Sequence, residues 1–250
     1  MVKSISKRPL EARTAAVQAA KEKHAGRSVP LSRIQKLIGQ RMVQSKMTKP
    51  CFYIGLDADV TELMSLRRKL SRKLCFKITT NSLYIFALAR AAREYPLMLS
   101  RLNGDDIKIA GNINVAFAVN APEGIIVPVI KDADSKELVE IASLEKSLTN
   151  KARCNKLTLE QMQDQTIALS NLGPYGIDSF FGIVPPTTTT ILATGNVLSR
   201  PVPSNGSIQV RKMICLTLAT DSRVVGSVYA ARFLNLLKEN LQKPIHDYGL

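Results

Sequence analysis

The chain has 250 residues, 45% of them hydrophobic and 22% charged, enough to bury the core of one large domain or two small ones, and too apolar for wholesale disorder. No apolar run reaches the roughly 18 residues that a bilayer-spanning helix needs, and no charged-then-apolar leader opens the sequence, so the chain reads as soluble with no membrane partner. The formal charge of +15 points to anionic partners; aromatics at only 5%, with no Trp, argue against nucleic acid, whose readers interleave stacking rings with basic residues.

Residues 1–29 are basic and Ala-rich, with few large apolar side chains, and predict a flexible tail or a loosely held helix over about 10–24. Residues 30–250 read as one core domain. Ser32 with Gln35 forms a capping-box signal, and Ile34, Leu37, Ile38 and Met42 follow at helical spacing up to Pro50. Strict alternation then predicts a half-buried strand, with Phe52, Ile54, Leu56, Ala58 and Val60 on its inner face. A helix over about 61–73 presents Leu63, Leu66 and Leu70, and a second, capped at Thr80, runs towards Pro96.

Strands follow at 113–119 and, more buried, at 125–130. Asp134 or Ser135 opens a helix to about Arg153, and Thr158 with Gln161 opens a short one. Strands then dominate at 166–170, 191–197 and 208–220. Thr187–Thr190, after Pro185-Pro186, reads as the start of a strand with no ligand role. Ser227 is expected to cap a last helix bearing Val228, Ala231, Leu234, Leu237 and Leu241, ended by Pro244. Strands and helices mix without a regular βαβ rhythm, which predicts an α/β or α+β domain with a mixed sheet flanked by helices.

The four cysteines, Cys51, Cys75, Cys154 and Cys215, show no metal-like pairing and predict free thiols in a reducing compartment. Cys154 lies among Lys151, Arg153 and Lys156, but no histidine is near enough in sequence to suggest a nucleophile.

Five blocks carry a family resemblance. They are Pro30–Lys46, Gly124–Ala133, Lys151–Gln163, Leu169-Ser170-Asn171-Leu172-Gly173-Pro174-Tyr175-Gly176-Ile177-Asp178-Ser179-Phe180, and Asp221-Ser222-Arg223-Val224-Val225-Gly226-Ser227. In this order they resemble the core domain of the dihydrolipoyl acyltransferases of 2-oxo acid dehydrogenase complexes. The resemblance implies a chloramphenicol-acetyltransferase-like fold, trimers that assemble into cubic or dodecahedral cages, and coenzyme A as the acyl-carrying ligand. It also implies active sites between two subunits, in a bacterial cytoplasm or a mitochondrial matrix.

The last block departs from the family where chemistry is done. The family reads Asp-His-Arg-x-x-Asp-Gly, its histidine taking the thiol proton; here Ser222 holds the histidine position, Gly226 the second aspartate and Ser227 the glycine. A serine hydroxyl is no base near neutral pH, whereas an imidazole with a pKa of about 6.5 is. The only histidines, His24 and His246, fall outside every block.

Ser170 aligns with the family's oxyanion-stabilising hydroxyl, although from its own sequence it reads as a strand-end serine bonding its backbone. Asn171 is a weak candidate for cofactor contact and a better one for a turn. The expectation is a core subunit without acyltransferase activity, similar in this respect to the dihydrolipoamide dehydrogenase-binding proteins (protein X), which co-assemble with active acyltransferase chains. The alternative is a working acyltransferase that passes acyl groups between lipoyl and coenzyme A.

Overall fold

The computed structural model describes residues 28–243 apart from 123 and 205, so the expected helix over 10–24, Pro244 and both histidines lie outside the described residues. Helix α1 (Arg33–Thr48) opens on a complete capping box. Ser32 Oγ accepts from Gln35 N–H at 3.1 Å, and Gln35 Oε1 accepts from Ser32 N–H at 2.9 Å. Strand β1 (Cys51–Asp59) pairs antiparallel along its whole length with β11 (Ser207–Asp221), from Cys51↔Asp221 to Asp59↔Met213.

The main sheet runs β1-β11-β9-β8-β4-β7, where β9 is Thr190–Thr194, β8 Ile167–Asn171, β4 Val115–Phe117 and β7 Val129–Ile130. Strand β8 lies parallel to β4 and β9 while the other pairs are antiparallel, so the sheet is mixed, as the sequence predicts. Strand β10 (Leu198–Ser204) pairs with β11 alone.

One face of the sheet carries helices α2 (Thr61–Lys73), α3 (Thr80–Glu94), α4 (Leu138–Arg153) and α5 (Ser227–Gln242). Helix α3 packs between α4 and α5, and its residues from Ser82 to Ala89 are buried without a break; a helix apolar all round belongs at the centre of a core. Tyr84, Phe86, Phe117 and Phe233 are its largest buried side chains. The other sheet face holds only a small cluster, Ala116, Val129, Ala168, Val184, Ile191 and Ala219. No described helix is long and apolar enough to cross a membrane.

Several boundaries differ from expectation. The predicted strand 113–119 divides at Ala118: β4 joins the main sheet, whereas β5 (Val119–Ala121) pairs only with β6 (Gly124–Ile126). The predicted strand 125–130 breaks between β6 and β7 around Val127-Pro128, and Ile125 is 58% exposed rather than buried. Proline has no N–H to give a ladder, but Pro128 still accepts from Phe117 N–H at 3.0 Å.

Thr79, not Thr80, caps α3, its hydroxyl accepting from Ser82 N–H. The helix expected from Asp134 or Ser135 begins at Leu138, because Asp132 turns left-handed (φ 49°) and only a 3-10 turn fits over Ala133–Ser135. The last helix is capped at Gly226, so Ser227 is its first residue, and Val228, expected on its packed face, is exposed instead. The Thr187–Thr190 run turns before it enters β9 at Thr190. The sequence reading missed β10, with Pro201 and Pro203, and the hairpin of β2 (Arg101–Asn103) with β3 (Asp106–Lys108).

Candidate functional site

Strand β11 delivers the signature to the end of the sheet. Asp221, its last residue, is buried and takes three hydrogen bonds from Arg223: from the backbone N–H at 3.1 Å, Nε at 3.0 Å and Nη2 at 2.7 Å. Burial pushes the Asp221 carboxyl up, but these bonds and the guanidinium charge outweigh it and hold the group below the usual carboxylate range. Arg223 is raised in turn, first by the same hydrogen bond.

Ser222 is exposed, and its hydroxyl donates to the Pro50 carbonyl at 2.6 Å, the oxygen that also accepts from Ser222 N–H at 3.1 Å. Ser222 thus ties the end of β11 to the entry of β1. Beside it, Lys49 Nζ donates to the carbonyls of Pro185 (2.8 Å) and Thr188. Burial lowers the Lys49 pKa, against the pull of Asp221. Burial and then Asp221 push the Cys51 thiol up, so it is not poised as a thiolate. All four cysteines are free. Gly226 leaves open space where a side chain would stand. Among the described residues, no histidine stands near Ser222.

Ser170 sits at the far end of β8, half-buried, and its hydroxyl has no partner among the described residues, contrary to the expected bond to its own backbone. Asn171 Oδ1 accepts from Gly173 N–H at 3.0 Å, the turn role expected of it. The following loop is clamped to the end of β9 by Leu172 N–H to Thr194 O (3.1 Å) and Asn196 N–H to Ile177 O (2.7 Å). Glycine is required here, since a Cβ on Gly195 would stand 1.8 Å from Asp178 O and one on Gly173 2.5 Å from Gly195 O.

This loop walls a pocket of about 390 Å³ with Arg67 and Arg68 of α2, Thr80 and Tyr84 of α3, and Lys212 of β11. Tyr84 is 1% exposed, its hydroxyl unpaired, and burial pushes its phenol pKa up; Arg67 Nε is also buried without a partner. Sequence reasoning missed this pocket. Periodicity over 61–73 marks only Leu63, Leu66 and Leu70, and it is the fold that brings Arg67 and Arg68 to the Asn171–Gly173 turn.

The fold is of the acyltransferase type, and its signature loop carries Ser222 and no histidine. The family model of the 2-oxoacid dehydrogenases acyltransferase (catalytic domain) matches residues 23–246. The chain is 33% identical over 222 residues to the dihydrolipoyllysine-residue acetyltransferase component of the pyruvate dehydrogenase complex of Rickettsia bellii, covering 87% of this chain and 53% of that protein. It is 34% identical over 222 residues to the mitochondrial pyruvate dehydrogenase protein X component of Mus musculus, covering 87% and 44%.

Among solved structures, the cubic core of the pyruvate dehydrogenase multienzyme complex superposes with a TM-score of 0.84 at 30% identity, over 87% of this chain and 92% of that one. Chloramphenicol acetyltransferase shares the fold at a TM-score of 0.51 and 12% identity, over 82% and 94%. The chain therefore belongs to the acyltransferase catalytic-domain family of the 2-oxo acid dehydrogenases, and spans about half the length of the curated relatives it matches.

Proposed function

We propose that this chain is a core subunit of a pyruvate dehydrogenase-like complex that keeps the acyltransferase fold for assembly and does not itself supply the catalytic base. One observation carries the reading: the hydroxyl at the histidine position is spent on the Pro50 carbonyl, and no histidine occurs in residues 28–243. Assembly as a trimer, and of trimers into a cage, is supported by exposed apolar side chains such as Val43 and Met47 on α1 and Phe181 in the loop before β9. The four free thiols fit a reducing compartment, the bacterial cytoplasm or the mitochondrial matrix from which related complexes come.

Coenzyme A fits the basic pocket in chemistry. Arg67, Arg68 and Lys212 offer positive charge to phosphate, and the Tyr84 hydroxyl is an unpaired donor. Retention of this pocket and of Ser170 favours the second reading, an acyltransferase of altered rate. Acetyl transfer from acetyl-coenzyme A to dihydrolipoamide separates the two. The core-subunit reading expects turnover at least about 10²-fold below that of a histidine-bearing relative, and normal turnover overturns it. The Ser222→His, Gly226→Asp double variant is expected to raise the rate.

A further inference from the structure

The sheet register separates the two halves of the signature chemistry. Ser170 pairs with Ala193 and Ala193 with Thr217, so these three lie on one row across β8, β9 and β11. Ser222 lies five residues beyond Thr217, about 17 Å along the strands at roughly 3.4 Å per residue, and two strands across from Ser170, about another 10 Å. A base and an oxyanion donor must both reach one reacting carbonyl at about 3 Å. A single copy of this chain cannot meet that condition, so each site takes its base from one subunit and its Ser170 side from another.

The two halves are in different condition. The Ser222 half has no base, and its hydroxyl is engaged. The Ser170 half is whole: an unpaired hydroxyl at the end of a central strand, a loop clamped by Gly173 and Gly195, and a basic pocket behind it.

We propose that this chain lends its Ser170 half to a histidine-bearing neighbour in a mixed assembly, and so completes active sites it cannot form with copies of itself. The inference rests on the core-subunit reading above. At such a site the neighbour's imidazole takes the proton of the coenzyme A thiol, whose sulfur bonds to the carbonyl carbon of the acyl-lipoyl thioester. The Ser170 hydroxyl donates to the resulting oxyanion. Collapse breaks the carbon–sulfur bond to the lipoyl arm, whose sulfur recovers the proton, leaving acyl-coenzyme A and the dithiol. In a ring of three, each chain gives one half to each neighbour, so the number of working sites equals the number of histidine-bearing chains.

The test co-expresses this chain with a histidine-bearing dihydrolipoyl acetyltransferase core whose own serine, aligned with Ser170, is replaced by Ala. Particles are captured through a tag on this chain, their composition is read by native mass spectrometry, and acetyl transfer is measured per histidine. Mixed particles are expected to turn over about 10²-fold faster than the alanine partner alone, the usual worth of one oxyanion donor. Ser170→Ala in this chain is expected to abolish the gain while leaving particle composition and thermal melting unchanged. Mixed particles without the gain, or with a gain that survives Ser170→Ala, overturn the half-site inference and leave the core-subunit reading standing. Failure to form mixed particles overturns both.

Discussion

Ser222 holds a position in the fold, tying the end of β11 to the entry of β1. Its hydroxyl and its N–H converge on one carbonyl, so Ser222→Ala removes one of two bonds to Pro50 at an exposed site. The expected loss is about 0.5–1 kcal/mol in urea unfolding, with assembly retained. Asp221 is different, being a buried carboxylate that depends on Arg223. Its folded pKa lies below the unfolded value of about 3.9, so its contribution to stability is present above about pH 4 and is lost as the pH falls through the folded value. Asp221→Asn is therefore expected to lower stability at pH 7 and to flatten the acid limb; an unfolding profile of unchanged shape between pH 7 and 3 would contradict this. The sequence names these residues through their family block, but only the structure shows where the Ser222 proton goes.

At the level of elements, strong periodicity was readable and local geometry was not. Strand β1 and helix α2 follow the pattern of Phe52-Ile54-Leu56 and of Leu63-Leu66-Leu70, because one face of each meets something and the other meets water. Strand β10 escaped because Pro201 and Pro203 speak against a strand unless it is an edge, which it is. The start of α5 went astray by one residue, since a serine outranks a glycine as a cap on propensity alone. Gly226 has open space around it, so Gly226→Asp is expected to stabilise the chain by a few tenths of a kcal/mol through capping. Gly195→Ala drives a methyl into Asp178 O and is expected to cost about 1–3 kcal/mol and to weaken coenzyme A binding by displacing the pocket wall. Calorimetry with coenzyme A on the two variants checks that contrast.

Across the whole molecule, helices cover one face of the sheet heavily and the other face carries six mostly small buried residues, an asymmetry that suits a surface shared between copies. Composition foretold a substantial core but could not foretell that the core would be one-sided, nor that basic residues from α2 and β11 would meet behind the Asn171 turn, because both depend on contacts distant in sequence. Helix α1 follows the same logic. Only Ser45 of its described side chains is buried, held by a bond from its hydroxyl to the Val184 carbonyl, while Val43 and Met47, one turn apart, are 63% and 82% exposed. An apolar pair left in water on an otherwise anchored helix is expected to be covered by a neighbour. Val43→Glu with Met47→Glu would place two charges in that contact and none in the core. The expected result is a fall in oligomer size by sedimentation velocity, with the circular dichroism spectrum unchanged. Full-sized particles carrying both charges would show that α1 faces solvent in the assembly and that the shared surface lies elsewhere on the sheet.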